Sequence, residues 1–394
     1  MLGLIQPLQQ LRRRTALGWL QLSHDKGRML VAVAGIAFAD VLMFMQLGFQ
    51  NALYTSNTRL HQSLQTDLVL IHPQGRNLIN LSSFPRRRLY QAINVPGVKS
   101  AEPLYVKIAN WKNPETRRET SLMVVGFNPN HPAFALPEVN QNLSAIKLPD
   151  TVLFDRASRG DYQGTIAQID RGKAVKAEVE RRRINVSGLF TVGASFAADG
   201  ILMTSDQNYL RLFPRQNAAS VNAGLIQLQP GADPVEVQQV LKAYLPPDVK
   251  VLTKEEFIDF EKNYWAKNTA IGFVFNLGVA MGFVVGVIIV YQVLSTDVSD
   301  HMGEYATFKA MGYRNVYLLG IVFEEALILS LLGFLPGVGV SFGLYSLTRK
   351  ATNFPLFMSL VRAVTVLILN VIMCTISGAI ATRKLQAADP ADMF

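Results

Sequence analysis

The sequence predicts a membrane protein with four transmembrane helices and a large α+β extracytoplasmic domain inserted between helices 1 and 2. Three observations predict it. Four separate windows each hold roughly 20 mostly apolar residues, enough to span a bilayer as a helix. Between the first and second windows, residues 51–267 alternate short strand-like and helix-like stretches. Charged residues make up only 17% of the 394, against roughly 25% in soluble proteins.

Residues 1–28 come first, as a cytoplasmic amphipathic segment. Leu4, Leu8, Leu11, Leu17 and Leu20, with Trp19, form a pattern suited to the membrane surface. Arg12, Arg13, Arg14, Lys26 and Arg28 are opposed there by a single acidic residue, Asp25. Anionic headgroups attract such side chains by about 1 kcal/mol each, so these residues and Trp19 are candidates for lipid contact and orientation. Residues 29–50 form transmembrane helix 1. Their apolar stretch exceeds the ~7–15 residues of a cleavable signal core, and no small-x-small site follows, so it reads as an anchor. Asp40 falls about eleven residues into it, near mid-bilayer at ~1.5 Å per residue. A charge at that depth costs at least ~2.5–3.5 kcal/mol. The sharper reading is a helix–helix latch or polar path; the plainer one is a boundary group nearer water.

In residues 51–267, strand-like stretches at 67–71, 121–127, 184–192, 200–204 and 223–228 are rich in β-branched and apolar residues. A helix over 84–93 stops at Val95-Pro96-Gly97. Another opens at Asp233-Pro234, an N-cap followed by proline at the first helical position. Its expected apolar face is Val237, Val240, Leu241 and Tyr244, and Pro246-Pro247 closes it. A domain of this length carries its own core. The arginine clusters at 86–88 and 181–183 read as solvated element ends, with a lipid or partner site as the alternative.

Residues 268–295 form transmembrane helix 2. Residues 315–347 form helix 3 and a break at Pro336-Gly337, and residues 354–382 form helix 4, followed by a cytoplasmic tail at 383–394. Glu324 and Glu325 lie about ten residues beyond Arg314 and carry the same two readings as Asp40. The loop at 296–314 is too charged for the bilayer (Asp297, Asp300, Glu304, Lys309) yet helix-prone from Glu304 to Met311. Gly312 supplies a C-cap, and Lys309 suits the negative helix end. It is either an amphipathic connector or a short cytoplasmic helix that docks on a partner. Short-segment lysines and arginines divide nine to three in favour of cytoplasmic termini; the three are Arg349, Lys350 and Arg362.

The chain has no G-x-x-x-x-G-K-[ST] and so no P-loop for ATP, and no H-E-x-x-H, C-x-x-C or G-x-S-x-G. Its five histidines lack ligand spacing. A lone cysteine, Cys374, excludes an internal disulfide and a multi-cysteine zinc site. No catalytic, cofactor-binding or metal-binding residue is expected. The net charge of +9 is spread over residues 51–267 and concentrated before helix 1, a placement that favours the lipid bilayer over nucleic acid.

One span, a large outer domain and three further spans with a short helix between the second and third resemble the permease of the MacB/FtsX/Lol group of ABC transporters. The segment Glu304-Tyr305-Ala306-Thr307-Phe308-Lys309-Ala310-Met311-Gly312-Tyr313 is similar to that family's E-x-A-x-x-K/R-A-x-G element, which inserts into the ATPase subunit. The resemblance therefore marks Glu304, Tyr305, Phe308, Lys309, Ala310, Met311, Gly312 and Tyr313 as ATPase-coupling residues. Glu324-Glu325 and the Gly333, Gly337, Gly339 series are similar to the family's third helix, and the Arg383 to Pro390 stretch to its terminal basic-x-x-x-D-P element. Val95-Pro96-Gly97-Val98 and Val125-Gly126-Phe127 agree in the outer domain. Trp19-Leu20-Gln21-Leu22-Ser23 and the 34–40 stretch ending in Asp40 resemble the cyanobacterial DevC-type permeases, exporters of heterocyst glycolipid.

The resemblance implies a homodimer, a second copy of this chain, working by mechanotransmission with two copies of a separate ATPase that holds ATP and Mg. It implies a periplasmic adaptor, a TolC-like outer-membrane channel, a glycolipid or other amphiphilic cargo, and residence in the bacterial inner membrane. Two alternatives stay open: an FtsX-like signalling scaffold that controls a periplasmic hydrolase, and a Lol-like lipoprotein extraction subunit.

Overall fold

The computed structural model describes residues 17–352 and 354–387. Arg12, Arg13 and Arg14, with Leu4, Leu8 and Leu11, lie outside the described residues, as does the Asp389-Pro390 element. The first elements are α1 (Leu17–His24), α2 (Lys26–Ser63), β1 (Leu68–Ile71), β2 (Phe84–Pro85), α3 (Arg87–Ala92), β3 (Val98–Lys112) and β4 (Glu119–Phe127). Next are α4 (Pro137–Gln141), β5 (Thr151–Asp155), α5 (Gln163–Asp170), β6 (Val175–Val179), β7 (Arg182–Phe190), β8 (Ile201–Ser205) and α6 (Asp206–Leu212). Then follow β9 (Ser220–Val221), β10 (Ala223–Leu228), α7 (Pro234–Tyr244), β11 (Lys250–Thr253) and α8 (Lys254–Lys267). The last are α9 (Ala270–Asp300), α10 (Met302–Ala310), α11 (Asn315–Thr352) and α12 (Leu360–Ala387). The chain divides into a helical unit (1–51, 273–348, 356–394) and an outer unit (52–272, 349–355).

In the helical unit, α2, α9, α11 and α12 are each long and apolar enough to cross a membrane. Lipid tails are as apolar as leucine, so such helices associate through close packing at small residues. Ala32, Ile36 and Ala39 of α2 are buried with Val290 and Leu294 of α9, Ala326 and Leu329 of α11, and Met373 and Cys374 of α12. Glycines allow the approach: a Cβ at Gly286 would strike Met373, one at Gly35 would strike Ile289, and one at Gly333 would strike Ile36. Phe273, Leu277, Val284 and Ile288 of α9 remain exposed, an apolar face suited to lipid. Gly286→Leu is expected to splay α9 from α12. Because Cys374 is the single cysteine and fully buried beside Met373, maleimide labelling of the full chain should rise roughly tenfold or more, a loss of packing worth about 1.4 kcal/mol.

Four boundaries differ from the sequence reading. α2 runs past residue 50 to Ser63, since no glycine or proline in 51–63 stops it. α9 likewise continues through Asp300, so the connector is shorter than 296–314. α11 passes unbroken through Pro336, where a break was expected. The proline removes one backbone hydrogen bond, and packing at Gly333 and Gly337 on either side holds the helix together. α12 starts only at Leu360, because Pro355 biases Phe354 away from helical backbone.

The outer unit is built on a nine-stranded sheet ordered β11-β1-β10-β3-β4-β8-β5-β7-β6, in which β6 also pairs with β3. That last pairing (Trp111 with Val179, Lys112 with Glu178) closes β3, β4, β8, β5, β7 and β6 into a ring. Both faces are covered, so alternate residues of one strand enter different cores. Leu122 and Val124 of β4 join Trp111, Phe154 and Tyr162 in one cluster. Met123, Val125 and Phe127 join Phe134, Leu153 and Met203 in the other. Two-sided burial explains why β4 reads as a continuous apolar run.

The expected helix over 84–93 starts at Arg87, because Phe84 and Pro85 pair with β9. In α7, Val237 and Leu241 are buried as expected, but Val240 and Tyr244 face outward and Gln238 takes the inner position. Its amide donates to the Val251 carbonyl at 3.0 Å, which a valine could not do.

Candidate functional site

The connector between α9 and α11 folds as the short helix α10. Its residues are good helix formers, and Gly312 ends it with φ +89, a backbone state that glycine adopts without strain. The Tyr313 N–H donates to the Phe308 carbonyl at 3.1 Å and the Gly312 N–H to the Lys309 carbonyl at 3.0 Å. These are the paired bonds of a Schellman cap. Tyr305 turns inward onto Val298 of α9 and Leu318, Ile321 and Val322 of α11, and Ala306 beside it is also buried. The opposite side presents Glu304, Ala310, Met311, Gly312 and Tyr313 to the surface, with Phe308 and Lys309 half-buried. Phe308, Tyr313 and Tyr317 form a three-ring cluster in which Phe308 meets both tyrosines edge to face and the Tyr313 and Tyr317 centroids lie 4.8 Å apart. Burial makes Tyr305 the residue that anchors α10 to its own helices. The surface available to a partner is that of Glu304, Met311 and Tyr313.

Next to this helix, Arg28 at the start of α2 reaches the end of α9. It lies 2.6 Å from Asp300, 3.8 Å from Asp297 and 3.3 Å from Asp25. His301 closes the same group, its Nδ1 3.0 Å from the Asp297 carbonyl. Arg28, read from the sequence as a residue for lipid contact and orientation, is thus the ion-pair partner of Asp300, which lies two residues before α10 begins. Trp19 and Lys26 are exposed. Gly18 of α1 packs against Glu325 of α11, where a Cβ would come within 3.0 Å of Glu325 Cγ.

Deeper in the bundle, Asp40 is fully buried. Its Oδ2 accepts a 2.7 Å hydrogen bond from Asn370 Nδ2 of α12, and Asn370 also donates to the Ser330 carbonyl of α11 at 3.2 Å. The Cys374 thiol donates to Asn370 Oδ1 at 3.3 Å. The hydrogen bonds therefore join three helices through one amide. Among the described residues, Asp40 Oδ1 and Ser330 Oγ have no hydrogen-bond partner. Glu325 is buried beside the Asp297 carboxyl, whereas Glu324 is half-buried, so the two neighbours occupy different surroundings. Asn370, Ser330 and Cys374 were missed in the sequence. Asn370 could have been found there, as an amide inside the otherwise apolar run from Val366 to Met373.

Among the described residues, no three His, Cys, Asp or Glu side chains gather as a metal site. In the outer unit, burial pushes the Asp155 carboxyl up, against the pull of backbone N–H donors from Gly193, Val192 and Ala157.

Residues 276–390 match the family described as FtsX-like permease C-terminal. The matched segment begins within α9 and takes in α10, α11 and α12. Among curated proteins, none matches the chain. The periplasmic region of MacB from Actinobacillus actinomycetemcomitans is similar at 9% identity, over 51% of this chain and 94% of that one, with a TM-score of 0.33. The extracellular domain of the ABC-type transporter YknZ from Gram-positive bacteria is similar at 15% identity, over 48% and 100%, with a TM-score of 0.33. A domain of a putative permease from Porphyromonas gingivalis is similar at 13% identity, over 49% and 90%, with a TM-score of 0.29.

Proposed function

We propose that the chain is the permease subunit of an ABC exporter that works by mechanotransmission, with a separate ATPase docking on α10. The observation that carries this reading is the construction of α10 itself. Tyr305 fastens it to both neighbouring helices, while Glu304, Met311 and Tyr313 project from a capped, aromatic-braced end. A push on that surface reaches α9 and α11 without first deforming a loose linker. Two ATPase copies, each holding ATP and Mg, would bind a pair of these chains in the bacterial inner membrane with both termini cytoplasmic. A DevC-like role adds a periplasmic adaptor, a TolC-like channel and amphiphilic cargo such as glycolipid.

Glu304→Lys combined with Gly312→Pro is expected to cut capture of the cognate ATPase subunit roughly tenfold or more, because the charge reverses and Pro cannot adopt φ +89. Tyr313→Ser, at a 45% exposed position, removes a ring from the surface and from the aromatic brace and should weaken capture in the same direction. Undiminished capture by both variants would move the docking site elsewhere. Co-purification separates the alternatives. An adaptor and channel retained with the complex support export. A cell-wall hydrolase in their place supports the FtsX-like scaffold, and bound lipoprotein supports Lol-like extraction.

A further inference from the structure

The outer unit holds a cavity of about 470 Å³ between β3, the β6–β7 turn and the segment following α6. That size lies in the range of small-molecule sites, ~300–1,000 Å³. Four cations line it: Lys107, Lys112, Arg181 and Arg215. Among the described residues, none of the four forms an ion pair with a carboxylate. Lys107 instead rests over the Phe213 ring, 4.8 Å from its centroid. Glu119 and Glu178 also line the cavity, each directly across from Lys112 on a neighbouring strand.

The walls are fixed in place before any ligand arrives. Glu180 and Arg181 turn the β6–β7 hairpin with φ +48 and +64, although neither is glycine or asparagine. Backbone states of this kind cost of order 1–3 kcal/mol each and persist where the surroundings enforce them, often at functional sites. Here Glu180 and Asn110 enforce them. The Glu180 N–H donates to the Asn110 carbonyl at 3.0 Å, and the Asn110 N–H donates to Glu180 Oε1 at 2.9 Å. Next to the turn, the Arg182 guanidinium donates to the Arg211 carbonyl, bracing the hairpin against the segment that carries Phe213 and Arg215. Glu180 is therefore occupied by backbone, which leaves the cations in excess over the available carboxylates.

We propose that this cavity binds a hydroxyl-rich organic anion of the sugar-phosphate class. Unpaired guanidinium and ammonium groups suit a phosphate or similar oxyanion, with Arg181 and Arg215 able to bind it through paired N–H donors. The two glutamates explain why a bare anion is the poorer ligand. A carboxylate repels a free oxyanion but accepts hydrogen bonds from hydroxyl groups. The mixed lining thus selects a molecule carrying both. The site does not depend on the permease reading, because it lies within the outer unit and involves no residue of α10.

The test uses the full chain in phosphatidylcholine nanodiscs, with isothermal titration of glucose 6-phosphate, glucose and inorganic phosphate. Saturable binding of glucose 6-phosphate is expected, roughly tenfold or more tighter than either fragment alone. Arg181→Gln with Arg215→Gln should weaken glucose 6-phosphate roughly tenfold or more, and Glu178→Gln should weaken it without weakening inorganic phosphate. These positions carry no core packing, so unchanged thermal unfolding of the variants will confirm that folding is intact. Displacement by water-soluble dihexanoyl phosphatidylinositol would support a lipid-borne head group as the source. Lack of displacement with glucose 6-phosphate still bound would support a free soluble one. The proposal is overturned if glucose 6-phosphate does not bind saturably, if the arginine variants bind it like the wild type, or if inorganic phosphate binds equally well and Glu178→Gln changes nothing.

Discussion

Replacing Glu261 with alanine is expected to destabilise the outer unit by about 3–5 kcal/mol, the range found when one partner of a buried charged contact is removed. Glu261 is 2% exposed and sits on the inner side of α8. Its Oε2 accepts the Leu78 N–H at 2.7 Å, and its Oε1 accepts the Trp265 indole N–H at 2.8 Å. The His61 imidazole, from the last turns of α2, lies 3.5 Å from Oε2 and stacks on Phe257 of α8. One carboxylate therefore joins the end of α2, the loop at Leu78 and α8. Hydrogen bonds to a charged group contribute ~1.5–3 kcal/mol each, and alanine leaves two buried donors unsatisfied. The loss should appear as a lower thermal midpoint and faster proteolysis within residues 52–272 of the full chain. Glu261→Gln keeps an acceptor oxygen and should cost about half as much. Wild-type resistance to protease in Glu261→Ala would show that water or a neighbouring side chain replaces the carboxylate without loss.

The contrast between the two units shows what a local reading captures. Apolar runs of helical length are a one-dimensional signal, so the four long helices were legible, as were strands with mostly apolar stretches such as β4 and β10. The 15-residue strand β3 was not. It carries Lys99, Glu102, Lys107 and Lys112 and contains Pro103, a composition that hides a strand whose partners are β10, β4 and β6. β5, only five residues long though fully buried, was missed because a short apolar run fits several structures. α10 was legible because its helix formers and Gly312 are adjacent in sequence. The Asp40–Asn370 bond was not, since 330 positions separate its partners. The outer cavity has the same cause: Lys112, Arg181 and Arg215 meet only once β6 returns to β3, and the sequence shows Arg181 merely as part of an arginine run.

Asp40→Asn is expected to leave assembly intact while lowering ATP hydrolysis by the reconstituted complex roughly tenfold, equivalent to about 1.4 kcal/mol on the limiting barrier. The substitution is nearly isosteric, and Asn370 can still donate to the remaining side-chain oxygen at position 40. What changes is that the side chain Asn370 links to α11 and α12 can no longer gain or lose a proton. Gly337 of α11 lies so close that a Cβ there would come within 2.9 Å of Asp40 Cβ, so a shift of α11 must alter the surroundings of the carboxylate. Asp40 Oδ1 and Ser330 Oγ, both without hydrogen-bond partners among the described residues, are the groups that a second helix arrangement could satisfy. A group with a latch role is thus expected to matter when the helices move, more than when they assemble. Cys374 separates the two effects. Its thiol donates to Asn370, so maleimide protection should persist in Asp40→Asn, where the bond network survives, and fall in Asp40→Ala, where Asn370 loses its partner. Wild-type hydrolysis in Asp40→Asn with Cys374 still protected would reduce Asp40 to a packing residue. Hydrolysis and protection lost together in that variant would make its role structural. Only loss of hydrolysis with protection retained supports a carboxylate that works between two arrangements of the bundle.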